Sequence, residues 1–271
     1  MTQRREAGSS ERVVSGFGRV PRLFVVAAGA GRDGTTTVAR LIGELAAANG
    51  VQLVSEHELY ANHVCNLLAA WYETGRHGYR AALADLLANV PAHAVSSTTY
   101  QFALDILFEA HGRGLRVIHL QRRDKQAFIR SLRRVIHFRP AMAVNMTTER
   151  CLVDHPDHTT RLAAFHFGEA TRREWGAMTI EQRLGWQYDK THALLDAAAR
   201  RFDRYLKIYT EDLGRPDTLR RLARFLDPGW RKICAPLKLN AIEWWEKERE
   251  LNEKVRAGML AGPSRRRRGA G

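Results

Sequence analysis

Cysteine is scarce: Cys65, Cys151 and Cys234 are the only three in 271 residues. So few, odd in number and far apart, they exclude a disulfide framework or a zinc cluster and suit a reducing compartment. Long apolar runs are missing as well. No stretch reaches the ~20 apolar residues of a membrane helix. The opening residues lack the apolar centre of a signal peptide, so a cytoplasmic location is expected. Acidic residues are the third shortage. Asp and Glu number 29 against 43 Lys and Arg, for a formal net charge of +14. That excess favours anionic partners, whether nucleic acid, phosphorylated cofactors, acidic glycans or lipid head groups. Four of the arginines, Arg265 to Arg268, stand among small residues near the C-terminus, and without them the balance is still +10. Segments 1–20 and 261–271 read as solvated tails on one domain spanning 21–260. The hydrophobic fraction of 45% excludes a wholly disordered chain and is ample for a core.

Strand and helix signals alternate, with no internal repeat. Leu23–Ala28 is a short apolar run rich in β-formers, the pattern of a strand buried on both faces. After a glycine-rich loop, Thr35–Asn49 carries Val38, Leu41, Ile42 and Leu45 on one helical stripe and ends at Asn49-Gly50. Further strands are expected at Val51–Val54, Ala92–Val95, Leu115–Leu120 and Arg204–Tyr209. Further helices are expected at Asn62–Tyr72, Tyr79–Asn89, Tyr100–His111, Asp124–Arg134, Thr179–Arg201, Pro216–Leu226 and Ala241–Leu260. Thr179-Ile-Glu-Gln182 has the form of a capping box. Phe138–Trp175 has no clean period and suits an irregular, substrate-facing region. The expected fold class is α/β: a three-layer sandwich around a central, mainly five-stranded parallel sheet of the P-loop nucleotide-binding type. Ligands of such sheets bind beyond the carboxyl ends of the strands.

The loop Gly29-Ala-Gly31-Arg32-Asp33-Gly34-Thr35-Thr36-Thr37 lies at such an end, between a strand and a helix N-terminus. Bare N–H groups there suit an anion. What the loop lacks is the lysine of a nucleoside-triphosphate P-loop. Position 35 is Thr, and the basic group is Arg32. Ordinary ATP or GTP hydrolysis is therefore disfavoured. Downstream, Arg123 follows the Leu115–Leu120 strand, and Ser131 comes eight residues later. A late Tyr209-Thr-Glu-Asp212-Leu213 precedes a helix containing Phe225-Leu226.

In order and placement these motifs resemble sulfotransferases that use 3′-phosphoadenylyl sulfate (PAPS), of the bacterial type. The resemblance covers about Leu23–Trp230. It implies that Gly31, Arg32, Asp33, Gly34, Thr35, Thr36 and Thr37 hold the 5′-phosphosulfate. It implies that Arg123 and Ser131 anchor the 3′-phosphate, with Arg122 a further candidate. Arg32 would stabilise charge on the leaving phosphate. The product would be adenosine 3′,5′-bisphosphate, and no metal is required. Lys125 departs from the family, which usually has proline there.

Transfer to a hydroxyl also needs a base. Ser55-Glu56-His57-Glu58-Leu59-Tyr60 follows the second expected strand. By similarity to glycolipid-modifying bacterial sulfotransferases, Glu58 is the first candidate, then Glu56, then His57. The acceptor would be a carbohydrate, lipid or small natural product. Ser96 and Ser97 read as helix caps, and His119 as a core residue. Asp154-His-Pro-Asp-His158 lacks the helical i, i+4 frame of a metal site. Trp186, Trp244 and Trp245 read as helix packing, while Arg133, Arg134 and Arg139 extend the basic cleft. Two alternatives remain: a P-loop nucleotide kinase, which the missing lysine opposes, and a basic nucleic-acid-binding protein, for which no base-reading motif is present.

Overall fold

The computed structural model describes residues 24–138 and 162–234. The expected tails, Arg139, Cys151, Asp154–His158, Trp244, Trp245 and the helix at Ala241–Leu260 lie outside the described residues. The elements are β1 Val25–Ala28, α1 Thr35–Ala48, β2 Ser55–His57, α2 Ala61–Thr74, α3 His77–Ala88, β3 Ala94–Ser97 and α4 Leu104–His111. There follow β4 Arg116–Gln121, α5 Lys125–Phe138, α6 Arg172–Ala177, α7 Ile180–Ala198, β5 Arg204–Tyr209 and α8 Pro216–Leu226.

The five strands form one parallel sheet in the order β2-β3-β1-β4-β5. β1 is central because its whole surface is apolar. Val25, Val26, Ala27 and Ala28 are all 0% exposed. Period-2 alternation sends them to two cores. Val25 and Ala27 join Val38, Leu41, Ile42 and Leu45 of α1 and Leu219, Leu222 and Leu226 of α8. Val26 and Ala28 join Val64 and Leu68 of α2, Leu83 and Leu87 of α3, and Leu107 of α4. At ~25 cal/mol per Å², each such leucine contributes about 2 kcal/mol, so the two layers fix β1 from both sides. α7 opens on the expected capping box, Thr179 with Gln182, and α6 opens on a second, Thr171 with Glu174.

Two strands differ from the sequence expectation. β2 lies at Ser55–His57, not Val51–Val54, and β3 runs to Ser97. β2 is an edge strand pairing only with β3, so it needs no apolar run. Val51 and Val54, which carried the apolar signal, are exposed. Ser96 and Ser97 consequently lie inside a wholly buried strand end and not at a helix cap. The segment expected to be irregular contains, in its described part, a 3-10 turn at Ala164–Phe167 and α6, packed through Trp175 on Trp186.

The chain leaves β1 toward β2 on one side, and β4 lies on the other. The strand order therefore reverses beside β1, which opens a crevice at its carboxyl end.

Candidate functional site

The β1–α1 loop enters that crevice. Gly31 and Gly34 both have φ of 90°, and Arg32 between them has φ of 56°. Successive left-handed residues turn backbone N–H groups toward one point, an anion-binding concavity. α1 begins at Gly34 with no side-chain cap and no acidic residue in its first turn, so its terminal N–H groups face the same space. Left-handed backbone costs a non-glycine residue roughly 1–2 kcal/mol. Among the described residues, the non-glycine positions with positive φ are Arg32, Glu58 and Tyr60. Arg32 lies in the loop and Glu58 touches His57 beside it, and such strain collects at sites that use it.

Two guanidiniums meet there. Burial, and secondly the charge of Arg122, hold the Arg32 pKa below the usual arginine value. Arg32 donates through Nε to Ser131 Oγ at 3.1 Å. The Nε of Arg122 is buried without a hydrogen-bond partner, a donor that an incoming oxygen would satisfy. The structure thus brings Arg32 and Ser131 together, although sequence reasoning paired Ser131 with Arg123. Arg123 is exposed, stacks over the Tyr209 ring at 4.1 Å and pairs with Asp212 at 2.5 Å and Glu211 at 3.9 Å. Lys125, the departure at the start of α5, pairs with Asp189 of α7 at 2.5 Å. Arg133 pairs with Glu181 at 2.5 Å, and Arg134 is exposed.

The acid–base candidates separate by strand geometry. Ser55 donates to Ala39 O of α1 at 2.7 Å, and His57 Nε2 lies 3.2 Å from both Thr35 Oγ1 and Thr36 Oγ1. Ser55 and His57 therefore share the face of β2 toward α1, and Glu56 projects to the other face. Glu56 is exposed and takes no part in these contacts. Glu58 follows the strand. Its carboxylate accepts from Thr98 N–H at 2.9 Å and from Ser97 O–H at 3.2 Å. His57 Nε2 is 3.6 Å from Glu58 Oε1. Desolvation lowers the His57 pKa, and the Glu58 charge opposes this only partly. Glu58 is thus a fixed carboxylate beside a neutral imidazole, both at the mouth of the loop.

Asp33 differs from its neighbours in the loop. Its side chain is 0% exposed and points into the core. It accepts from Ala30 N–H at 2.7 Å and from Arg122 N–H at 3.3 Å. Only its backbone remains for a ligand. Thr37 is half-buried on the first turn of α1.

No protein-family model and no curated protein matches the chain. Among solved structures it is similar to a sulfotransferase domain from the curacin biosynthetic pathway. The identity is 14%, with 82% of this chain and 77% of that chain covered, at a TM-score of 0.39.

Sequence reasoning missed the supports beneath the site. Gln187 of α7 donates to Ala30 O at 3.1 Å, and the Tyr188 hydroxyl donates to Arg122 O. Gln101 donates to Thr98 O at 2.7 Å and to Thr191 of α7 at 3.3 Å. One buried polar stripe on α7 thus reaches the loops after β1, β3 and β4. Its signal in the sequence was a helix whose polar residues exceed what its exposed face needs. His119, expected in the core, is fully buried and hydrogen-bonded to His192 at 2.8 Å. Among the described residues, no cluster of three His, Cys, Asp or Glu side chains could hold a metal, and no helix is long and apolar enough to cross a membrane.

Proposed function

We propose that this chain is a PAPS-dependent sulfotransferase that transfers a sulfuryl group to a hydroxyl or amine of a carbohydrate, lipid or small natural product. One observation carries the reading: an anion cradle holding two guanidiniums, Arg32 and Arg122, opens directly onto the Glu58–His57 pair. The buried, unpartnered Nε of Arg122 and the uncapped start of α1 fit a doubly phosphorylated nucleotide. PAPS, when bound, supplies a sulfuryl group activated by a phosphate leaving group.

The chain's own residues divide the remaining work. Backbone N–H groups from Gly31 to Gly34 and the donors of Thr35, Thr36 and Thr37 hold the 5′-phosphate. Arg32 stabilises charge on the bridging oxygen, in a site preorganised by its own left-handed backbone. Ser131 orients Arg32 through their hydrogen bond and would donate to the 3′-phosphate when PAPS is bound. Arg123 serves that phosphate with a charge already partly neutralised by Asp212, so Arg122 takes a share. Glu58 accepts the proton of the acceptor, oriented by its hydrogen bonds from Ser97 and Thr98. His57 stands beside it as a neutral second acceptor. Glu56, on the opposite face of β2, has no role.

A P-loop kinase would need a lysine at position 35, where this chain has Thr. Calorimetric titration with adenosine 3′,5′-bisphosphate, ATP–Mg²⁺ and a DNA duplex in turn tests the proposal. The bisphosphate should bind tightest. Tighter binding of ATP–Mg²⁺ or of the duplex would replace this reading with the corresponding alternative.

A further inference from the structure

The carboxyl group of Asp33 is the least exposed polar group in the anion loop, and it faces away from any ligand. Its two hydrogen bonds join the loop after β1, through Ala30, to the loop after β4, through Arg122. On its third side, His192 Nε2 of α7 lies 3.5 Å from Asp33 Oδ2. From His192 a buried chain continues to His119 at 2.8 Å and on to the Tyr205 hydroxyl at 2.5 Å. It ends at the exposed Asp196, 3.3 Å from His119 Nδ1 and paired with Lys207 at 2.9 Å.

We propose that Asp33 is a positioning residue that latches the two anion-facing loops together and takes up a proton when an anion enters the cradle. This rests on the anion-cradle part of the function proposed above, and not on the identity of the nucleotide.

The charges around Asp33 set the direction. Arg122 and Arg32 lie on the loop side, Glu211 beyond the end of β5, and His192 and Tyr188 on α7, with His119 of β4 behind His192. Burial is the main cause that raises the Asp33 pKa, to about 7, while the Ala30 and Arg122 hydrogen bonds and the Arg122 charge oppose it. Burial lowers His192 to about 3 and His119 to about 4, so both are neutral near pH 7 and supply no compensating charge. An anion that pairs with Arg32 and Arg122 removes the cationic field that favours the carboxylate. The carboxyl group then gains a proton, and by linkage the anion binds more tightly at lower pH.

Sulfate is the probe, because it does not titrate between pH 6 and pH 8. Calorimetry in buffers of different ionisation enthalpy should show proton uptake on sulfate binding to the full chain at pH 7. Affinity should be about fivefold higher at pH 6 than at pH 8. Asp33→Asn should bind sulfate with no uptake and an affinity flat within about twofold. If Asp33→Asn does not fold, the carboxylic C=O infrared band of the unaltered chain decides the matter: it should grow on sulfate addition at pH 7. Failure of sulfate to bind at pH 6, binding without uptake, no growth of that band, or uptake retained in Asp33→Asn would each overturn the proposal. Uptake with sulfate, combined with no tighter binding of adenosine 3′,5′-bisphosphate, would leave it standing and remove the nucleotide reading instead.

Discussion

Alanine at Gly31 and at Gly34 separates two demands that the anion loop makes on its backbone. Both glycines have φ of 90°, so either substitution places a Cβ in a conformation costing roughly 1–2 kcal/mol. Their surroundings differ. A Cβ on Gly31 would meet Thr98 Cγ2 at 3.5 Å, an ordinary contact, whereas one on Gly34 would lie 2.7 Å from Leu213 Cδ1. Leu213 is buried against the α1–α8 core, so moving it carries the cost of overpacking, about 1–3 kcal/mol. Gly31→Ala is therefore expected to lose about 1–2 kcal/mol and Gly34→Ala about 2–5 kcal/mol. Urea unfolding followed by circular dichroism measures both, with the slope checked for constancy. Equal losses would mean that Leu213 yields without cost. No loss in either variant would refute the left-handed loop itself, and with it the convergence of N–H groups on which the anion cradle depends.

Glu58→Gln should fold and bind the bisphosphate as before, because the amide oxygen can still accept from Thr98 N–H. Release of bisphosphate from PAPS with a panel of hydroxyl acceptors should fall by about 10²–10⁴-fold; retained turnover would transfer the role to His57. Arg123→Ala should weaken bisphosphate binding about tenfold in calorimetry. Unchanged affinity would leave the 3′-phosphate to Arg122 and Ser131. Stability should also depend on pH with two opposed limbs. His119 and His192, lowered to about 4 and about 3, contribute stability that is present above about pH 6.5 and lost as pH falls through their folded values. Asp33, raised to about 7, contributes stability that is present at acid pH and lost as pH rises through that value. Urea midpoints from pH 4 to pH 8 should fall on the acid side in the unaltered chain. His192→Gln should flatten that limb, and an unchanged slope would disprove the histidine assignment.

The parts of this fold that could be read from sequence were those whose residues are alike on every side. β1 is apolar on both faces, and the glycines after it can only make a turn, so strand, loop and α1 were legible together. β2 was misplaced because Ser55-Glu56-His57 lies at a sheet edge, where pairing is decided by backbone hydrogen bonds with β3 and not by burial. The Arg32–Ser131 contact spans 99 positions, a distance at which residue type alone gives no register. The bracing role of Gln187, Thr191 and His192 was hidden for another reason. Polar residues on a helix look like a surface, and only packing against three loops makes them interior.

The central place of β1 has a consequence for how the chain comes to be folded. Val25 pairs with Ala94 on one side and Arg116 on the other, partners about 70 and 90 residues later. During synthesis this most apolar strand must wait for both neighbours to emerge, and β5 arrives later still. Parallel pairing across such separations is slow, because the loop entropy is lost before the contacts form. The nascent chain therefore holds its stickiest segment open while about 90 further residues are made, which makes it a natural client for chaperones. In a purified refolding experiment, the competing outcome would be aggregation seeded by Leu23–Ala28.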